Sequence, residues 1–134
     1  MSKQYTSEQL NEINKLSDQN RADYFIKEVI HNNQIWILTD EHGCVMLNTE
    51  DEDCVPVWPS PEFAALWATK EWQACKPEAI SLNKWFSRWT TGLVEDEIAV
   101  VIFPSKEEQG MVYDPQDFDH VLQTAKKKQK KNNN

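Results

Sequence analysis

The apolar run EIAVVIFPS, residues 97–105, constrains the fold more than any other stretch of the chain. A strand with one face in water alternates apolar and polar residues, whereas this run is apolar without a break from Ile98 to Phe103. It therefore predicts a central strand that is covered on both faces. A chain of 134 residues with 40% hydrophobic content and six tryptophans can supply that cover from one core. We predict a single domain of the α+β class.

The remaining elements are predicted from apolar periodicity and turn residues. Residues 7–31 have the spacing of two helices, with Ser7 and Ser17 as their N-caps. Three β-rich segments joined by short turns then predict a β-meander, at residues 34–40, 44–50 and 54–59. Together with the strand at residues 97–105, they predict a sheet of about five strands, packed by N-terminal, middle and C-terminal helices.

The joint between the third strand and the next helix has a sequence explanation in VWPSPEFAALW, residues 57–67. Pro59 ends the strand because it has no N–H to donate. Ser60 is predicted as the N-cap and Pro61 as the first helical residue. Trp67 follows Phe63 at helical spacing, so we expect Trp67 to belong to the core. Ordinary capping and packing explain the joint without a functional site.

Four stretches of the sequence resemble those of a family of small bacterial proteins, the domain of unknown function 2750. The similar stretches are WILTDEHGCVML, VPVWPSPEFAALWA, PEAISLNKWFSRWTTGL and VVIFPS. The resemblance covers roughly residues 20–122 and implies an α+β fold. It implies no activity, so it carries over no catalytic residue.

The distribution of charge along the chain limits the partners that we expect. The net charge is −8, and without the five lysines of residues 126–131 it is −13. We assign residues 1–125 to the domain and residues 126–134 to a disordered or frayed tail, rich in lysine and asparagine. Since an acidic body repels phosphates, we expect no specific nucleic-acid partner, although the tail can contact polyanions.

The cellular compartment is predicted from the hydropathy of the chain, the character of its N-terminal residues and its cysteines. No apolar run approaches the roughly 20 residues of a membrane span, and the polar N-terminus has no signal-peptide pattern. Three cysteines without CxxC spacing indicate reduced thiols. We therefore expect a cytoplasmic protein without a membrane partner, as a monomer or a homodimer.

Metal, cofactor and nucleophile motifs are missing from the sequence. The three histidines lack the spacing of zinc ligands, and no phosphate-binding loop or nucleophile elbow occurs. Cys75, in a predicted loop, is the cysteine that we expect to be most exposed. We predict no metal, no cofactor and no catalytic residue, and leave open whether the protein is an enzyme.

The best functional hypothesis is a non-enzymatic module that binds a protein or peptide. Trp72 departs from the apolar stripe of its helix, and the adjacent Trp85 and Phe86 cannot both face inward. We therefore expect one or two large aromatic side chains at an exposed rim, with Trp72 and Trp85 as the candidates. An acidic turn offers a docking face for a basic partner; its residues are Glu50, Asp51, Glu52 and Asp53. The alternative is a small hydrolase or transferase with a pocket near the Trp58–Pro59 joint.

Overall fold

The computed structural model describes residues 6–41, 43–48, 53–68, 74–104 and 110–132. The helices in these ranges are α1 (Ser7–Asn14), α2 (Asp18–Asn32), α3 (Pro61–Trp67), α4 (Leu82–Lys84), α5 (Thr90–Glu95) and α6 (Pro115–Asn132). A π-helical segment, Trp85–Trp89, joins α4 to α5. The strands are β1 (Gln34–Asp40), β2 (Gly43–Cys44), β3 (Leu47–Asn48), β4 (Asp53–Val57), β5 (Lys76–Ser81), β6 (Ala99–Ile102) and β7 (Met111–Tyr113).

The strands form two sheets rather than the predicted single sheet of about five. One sheet has the order β2-β1-β5 and the other has the order β3-β4-β6-β7. A pair of backbone hydrogen bonds between Trp36 and Trp58 joins β1 to the end of β4, at 3.0 and 2.9 Å. The α+β class is confirmed, whereas the single sheet is wrong.

The predicted strand at residues 44–50 changes sheets part way along. Val45 still donates its N–H to the Leu38 carbonyl at 2.8 Å, beside β1, but Leu47 pairs with Cys54 of β4. The side chain of Val45 joins the main core, while Leu47 packs on a second, smaller cluster. Val45 and Leu47 thus pack in different clusters. Two short hairpins replace the predicted continuous meander.

The central strand is confirmed. All four residues of β6 are buried, and it lies between β4, which runs parallel to it, and the antiparallel β7. Val100 and Ile102 face the main core, whereas Ala99 and Val101 belong to the second cluster with Cys54. Apolar cover on both faces is what the unbroken run required.

A buried arginine ties α2 to the end of the central strand. Arg21 is fully buried; its Nε donates to the Phe103 carbonyl at 3.0 Å, and its Nη1 donates to the Leu16 carbonyl at 2.6 Å. Its Nη2 forms an ion pair with Asp18. Phe103 has a φ of 50°, a left-handed conformation that is unfavourable for a bulky residue. The arginine contact helps to hold this turn, because it anchors the carbonyl of the strained residue.

Two helix starts differ from the predicted caps. The first helix is capped by Thr6 rather than Ser7, in a reciprocal capping box with Gln9. Ser17 caps α2 as predicted, accepting from Asn20 N at 3.2 Å. Ser60 has the extended backbone of an N-cap, and Pro61 follows at the first helical position, but the Ser60 hydroxyl makes no capping hydrogen bond. That hydroxyl is buried and has no described partner.

The lysine-rich C-terminal segment continues α6 in this structure. The helix extends through Asn132, and Lys126 Nζ lies 5.8 Å from the centroid of the Phe86 ring. The assignment of residues 126–134 to a disordered or frayed tail stays a prediction, since a helical end can still fray. Among the described residues, no helix combines the length and apolarity that crossing a membrane requires.

Candidate functional site

The predicted rim tryptophan Trp85 lies in the core. It is 0% exposed, it stacks on Trp89 with ring centroids 5.3 Å apart, and it meets Phe118 edge-on at 5.6 Å. Phe86 takes the outer position and is half-buried. The prediction that Trp85 is exposed is wrong, because α6 packs against this side of the helix and brings Phe118 onto the indole.

The other predicted site residues are mostly outside the described part of the chain. Trp72 and three members of the acidic turn fall there: Glu50, Asp51 and Glu52. Asp53 is described; it is exposed at the start of β4, opposite Asn48. The binding role of these residues stays a prediction.

A different site is built where α5 ends. The N–H of Glu97 donates to the Val94 carbonyl at 3.2 Å, and the N–H of Ile98 donates to the Leu93 carbonyl at 2.9 Å. This pair of bonds is a Schellman motif, whose turning position is usually glycine because its backbone is left-handed. Glu97 holds that position with a φ of 58°. A carboxylate thus stands where glycine is favoured, at a cost of about 1 kcal/mol.

Glu97 lines a depression between the end of α5, the start of β6 and the start of α6. Its volume is about 430 Å³. Val94 and Val112 lie in its wall and are 37% and 42% exposed, among the most exposed large apolar side chains described. We call this site the α5–α6 depression; its lining residues are Leu93, Val94, Glu97, Ile98, Ala99, Val112, Asp114, Pro115 and Gln116.

Carboxylates flank the α5–α6 depression on both helices. On the α5 side the sequence is Glu95, Asp96 and Glu97, and all three are exposed. Asp114 caps α6, since its Oδ1 accepts from Gln116 N at 2.9 Å, and negative charge is favourable there. The three acids at the end of α5 are at the wrong end of that helix for its dipole. Helix stability therefore does not explain them.

The predicted alternative pocket at the Trp58–Pro59 joint is not supported by the described residues. Trp58 is 0% exposed, Pro59 is buried, and Trp58 Nε1 donates to the Pro104 carbonyl at 3.2 Å. No described group of three or more histidine, cysteine or acidic side chains is arranged to hold a metal ion. Within the part of the chain that the structure describes, the residues of this joint are packed into the core and form no pocket.

The fold and the depression together define an α+β protein with an apolar, carboxylate-flanked surface site. The family described as "Protein of unknown function (DUF2750)" matches residues 22–122, and the chain belongs to this family. The resemblance carried by the sequence motifs is thereby confirmed. Comparison with curated proteins and with solved structures gave no match to this chain.

Proposed function

We propose that the protein is a non-enzymatic module that binds a protein or peptide at the α5–α6 depression. The observation that carries the proposal is Glu97, a carboxylate placed in a left-handed position beside exposed apolar side chains. Backbone strain of this kind persists where the surrounding structure maintains it, and it is concentrated at functional positions. The acidic turn that includes Asp53 remains a second candidate contact for a basic partner.

Apolar contact supplies the affinity in this proposal. Val94 and Val112 lose exposed surface when a ligand side chain enters the depression, and a volume of about 430 Å³ is large enough for a leucine-sized group. Leu93 and Ile98 also line the depression and are already buried, so part of its apolar lining is in place before any ligand binds.

Charge supplies the selectivity. The carboxylates Glu95, Asp96 and Glu97 favour lysine or arginine beside the apolar ligand residue and repel acidic sequences. We propose a bacterial cytoplasmic location as well, supported by the family resemblance and by the free thiol of Cys75, which fits a reducing compartment.

A set of three peptides tests the proposal by calorimetry. The first has two leucines flanked by lysines on both sides, the second replaces the lysines by glutamates, and the third replaces the leucines by alanines. We expect the first to bind and each of the others to bind at least about tenfold more weakly, the equivalent of one lost apolar contact or charge pair. Equal binding of the glutamate peptide would contradict the proposal.

Two matched variants locate the binding surface. Val94 and Leu66 are both 37% exposed and both lie on short helices. Val94→Gln should weaken binding of the lysine–leucine peptide about tenfold by removing apolar contact, whereas Leu66→Gln should leave it unchanged. If both variants bind as the unchanged protein does, the ligand occupies another surface.

A further inference from the structure

The strand β7 forms an open edge of its sheet. The order of that sheet is β3-β4-β6-β7, so β7 pairs with β6 on one side and with no described strand on the other. Its three residues are Met111, Val112 and Tyr113, and none of them is charged. An open strand edge offers backbone N–H and C=O groups to another extended chain. The edge borders the α5–α6 depression, because Val112 belongs to both.

The hydrogen bonds of the central strand show which backbone groups of β7 are directed outward. Phe103 N donates to the Val57 carbonyl at 2.8 Å, so Phe103 and, two residues earlier, Val101 direct their backbone groups towards β4. The residues on either side of Val101 therefore direct theirs towards β7. Val112 lies opposite Val101, and the two form a non-hydrogen-bonded pair. The N–H and C=O of Val112 thus face away from the sheet, and no hydrogen bond to them occurs among the described residues.

The open edge of β5, in the other sheet, is protected against pairing in a way that β7 is not. Trp36 of β1 exchanges two backbone hydrogen bonds with Trp58, so its backbone groups face away from β5. Ala79 lies opposite Trp36, and Ala79 and Pro77 consequently face the open edge of β5. Pro77 has no N–H to donate, and the residues on both sides of it are charged and exposed. Proline and charge keep a strand edge from pairing, and β7 contains neither.

We propose that the peptide bound at the α5–α6 depression adds to β7 as an antiparallel strand, with an apolar residue opposite Val112; this inference rests on the proposed function. That residue exchanges two backbone hydrogen bonds with Val112, whose donor and acceptor both face outward. Because directly opposite side chains lie on the same face of a sheet, its side chain lies beside that of Val112, in the wall of the depression. The antiparallel direction is favoured because it is the more stable pairing per residue.

A peptide of basic and apolar residues is favoured over a second copy of this chain as the added strand. Each copy has a net charge of −8, and pairing through β7 of both copies places two acidic depressions at one interface. Repulsion between like charges opposes that arrangement. Lysine or arginine in a peptide instead faces the carboxylates of residues 95–97 with the opposite charge. Since β7 is only three residues long, the pairing is short, and contact within the depression supplies the remaining affinity.

N-methylation of the lysine–leucine peptide, with binding to the full chain measured by calorimetry, tests strand addition. A methyl group on a backbone nitrogen removes the hydrogen-bond donor and leaves the side chain in place. We expect methylation to weaken binding about tenfold at one leucine only, the leucine whose replacement by alanine also weakens binding. The N–H of the adjacent leucine faces away from β7 in an extended peptide, so its methylation should change the affinity by less than about twofold. Equal losses at both leucines, or none at either, would overturn strand addition.

Two variants at Val112 test the same pairing from the protein side. Val112→Pro removes the outward N–H without removing a hydrogen bond between β6 and β7, whereas Val112→Ala keeps the N–H and only reduces apolar contact. We expect Val112→Pro to weaken binding of the peptide at least about fivefold more than Val112→Ala does. Equal affinities of the two variants would contradict the proposal. If Val112→Pro does not fold, the methylated peptides alone decide.

The outcomes separate strand addition from the proposed function. A peptide that binds at the depression regardless of leucine N-methylation leaves the proposed function intact and overturns strand addition alone. If the lysine–leucine peptide does not bind at all, the proposed function fails, and strand addition fails with it. Dimerisation of the full chain without peptide, lost in Val112→Pro and kept in Val112→Ala, would assign the edge of β7 to a second copy and would also overturn the proposal.

Discussion

At the scale of single residues, Ser60 shows that a correct backbone position does not guarantee a capping hydrogen bond. The residue has the expected extended conformation before Pro61, yet its hydroxyl is buried without a described partner. The sequence alone predicts that Ser60→Ala costs about 1 kcal/mol through a lost cap. The structure leads to a different expectation, since removing an unpaired buried hydroxyl is neutral or slightly stabilising.

Urea unfolding of two serine variants tests this expectation. Ser60→Ala should change the free energy of unfolding by less than about 0.5 kcal/mol, or raise it. Ser17→Ala is the matched control and should cost about 1 kcal/mol, because Ser17 Oγ accepts from Asn20 N. Equal losses in the two variants would mean that Ser60 does form a cap.

Cys75 is the other residue whose chemistry the structure clarifies. Burial against the core raises the pKa of its thiol, and the nearby Asp40 carboxylate raises that pKa further. A raised pKa means less thiolate at neutral pH, so alkylation by iodoacetamide should be slower than for a free cysteine and should increase only at more alkaline pH. Asp40→Asn should shift the pH dependence of the alkylation rate towards lower pH without abolishing the effect of burial. A reaction of Cys75 faster than that of the unfolded chain would contradict this interpretation.

At the scale of elements, the end of α5 makes a prediction about stability that is independent of any ligand. Glu97→Gly should stabilise the protein by about 1 kcal/mol, because glycine adopts the left-handed conformation without a side-chain penalty. Asn33→Gly, at the left-handed end of α2, is the control and should gain less, since asparagine tolerates this conformation. Denaturant midpoints measure both changes; a loss of stability in Glu97→Gly would show that the carboxylate is needed for folding.

Elements with a local signal were predictable, whereas those that depend on distant partners were not. The unbroken apolar run predicted β6, and the Pro-Ser-Pro joint predicted the start of α3. The change of sheet at Val45 and Leu47 depends on where β4 lies, which no local pattern encodes. The burial of Trp85 depends on Phe118 in the same way.

At the scale of the whole molecule, the distribution of charge was visible in the sequence only in part. The lysine-rich segment of residues 126–131 was evident, but the position of Lys126 over the Phe86 ring required the fold. The sequence Glu95–Asp96–Glu97 had an available signal, because acids at the end of a helix oppose its dipole. Nothing local indicated that the depression would join this segment to Val112 and to the start of α6.

The central claim is that the α5–α6 depression is the peptide-binding surface, and a chemical-shift titration tests it most directly. Amide resonances of the full chain are followed while the lysine–leucine peptide is added. We predict that the largest shifts occur at residues 93–99 and 112–116, while the amides of residues 84–88 and 126–128, away from the depression, remain unchanged. Saturable shifts concentrated on any other surface, or no shifts at millimolar peptide, would contradict the account.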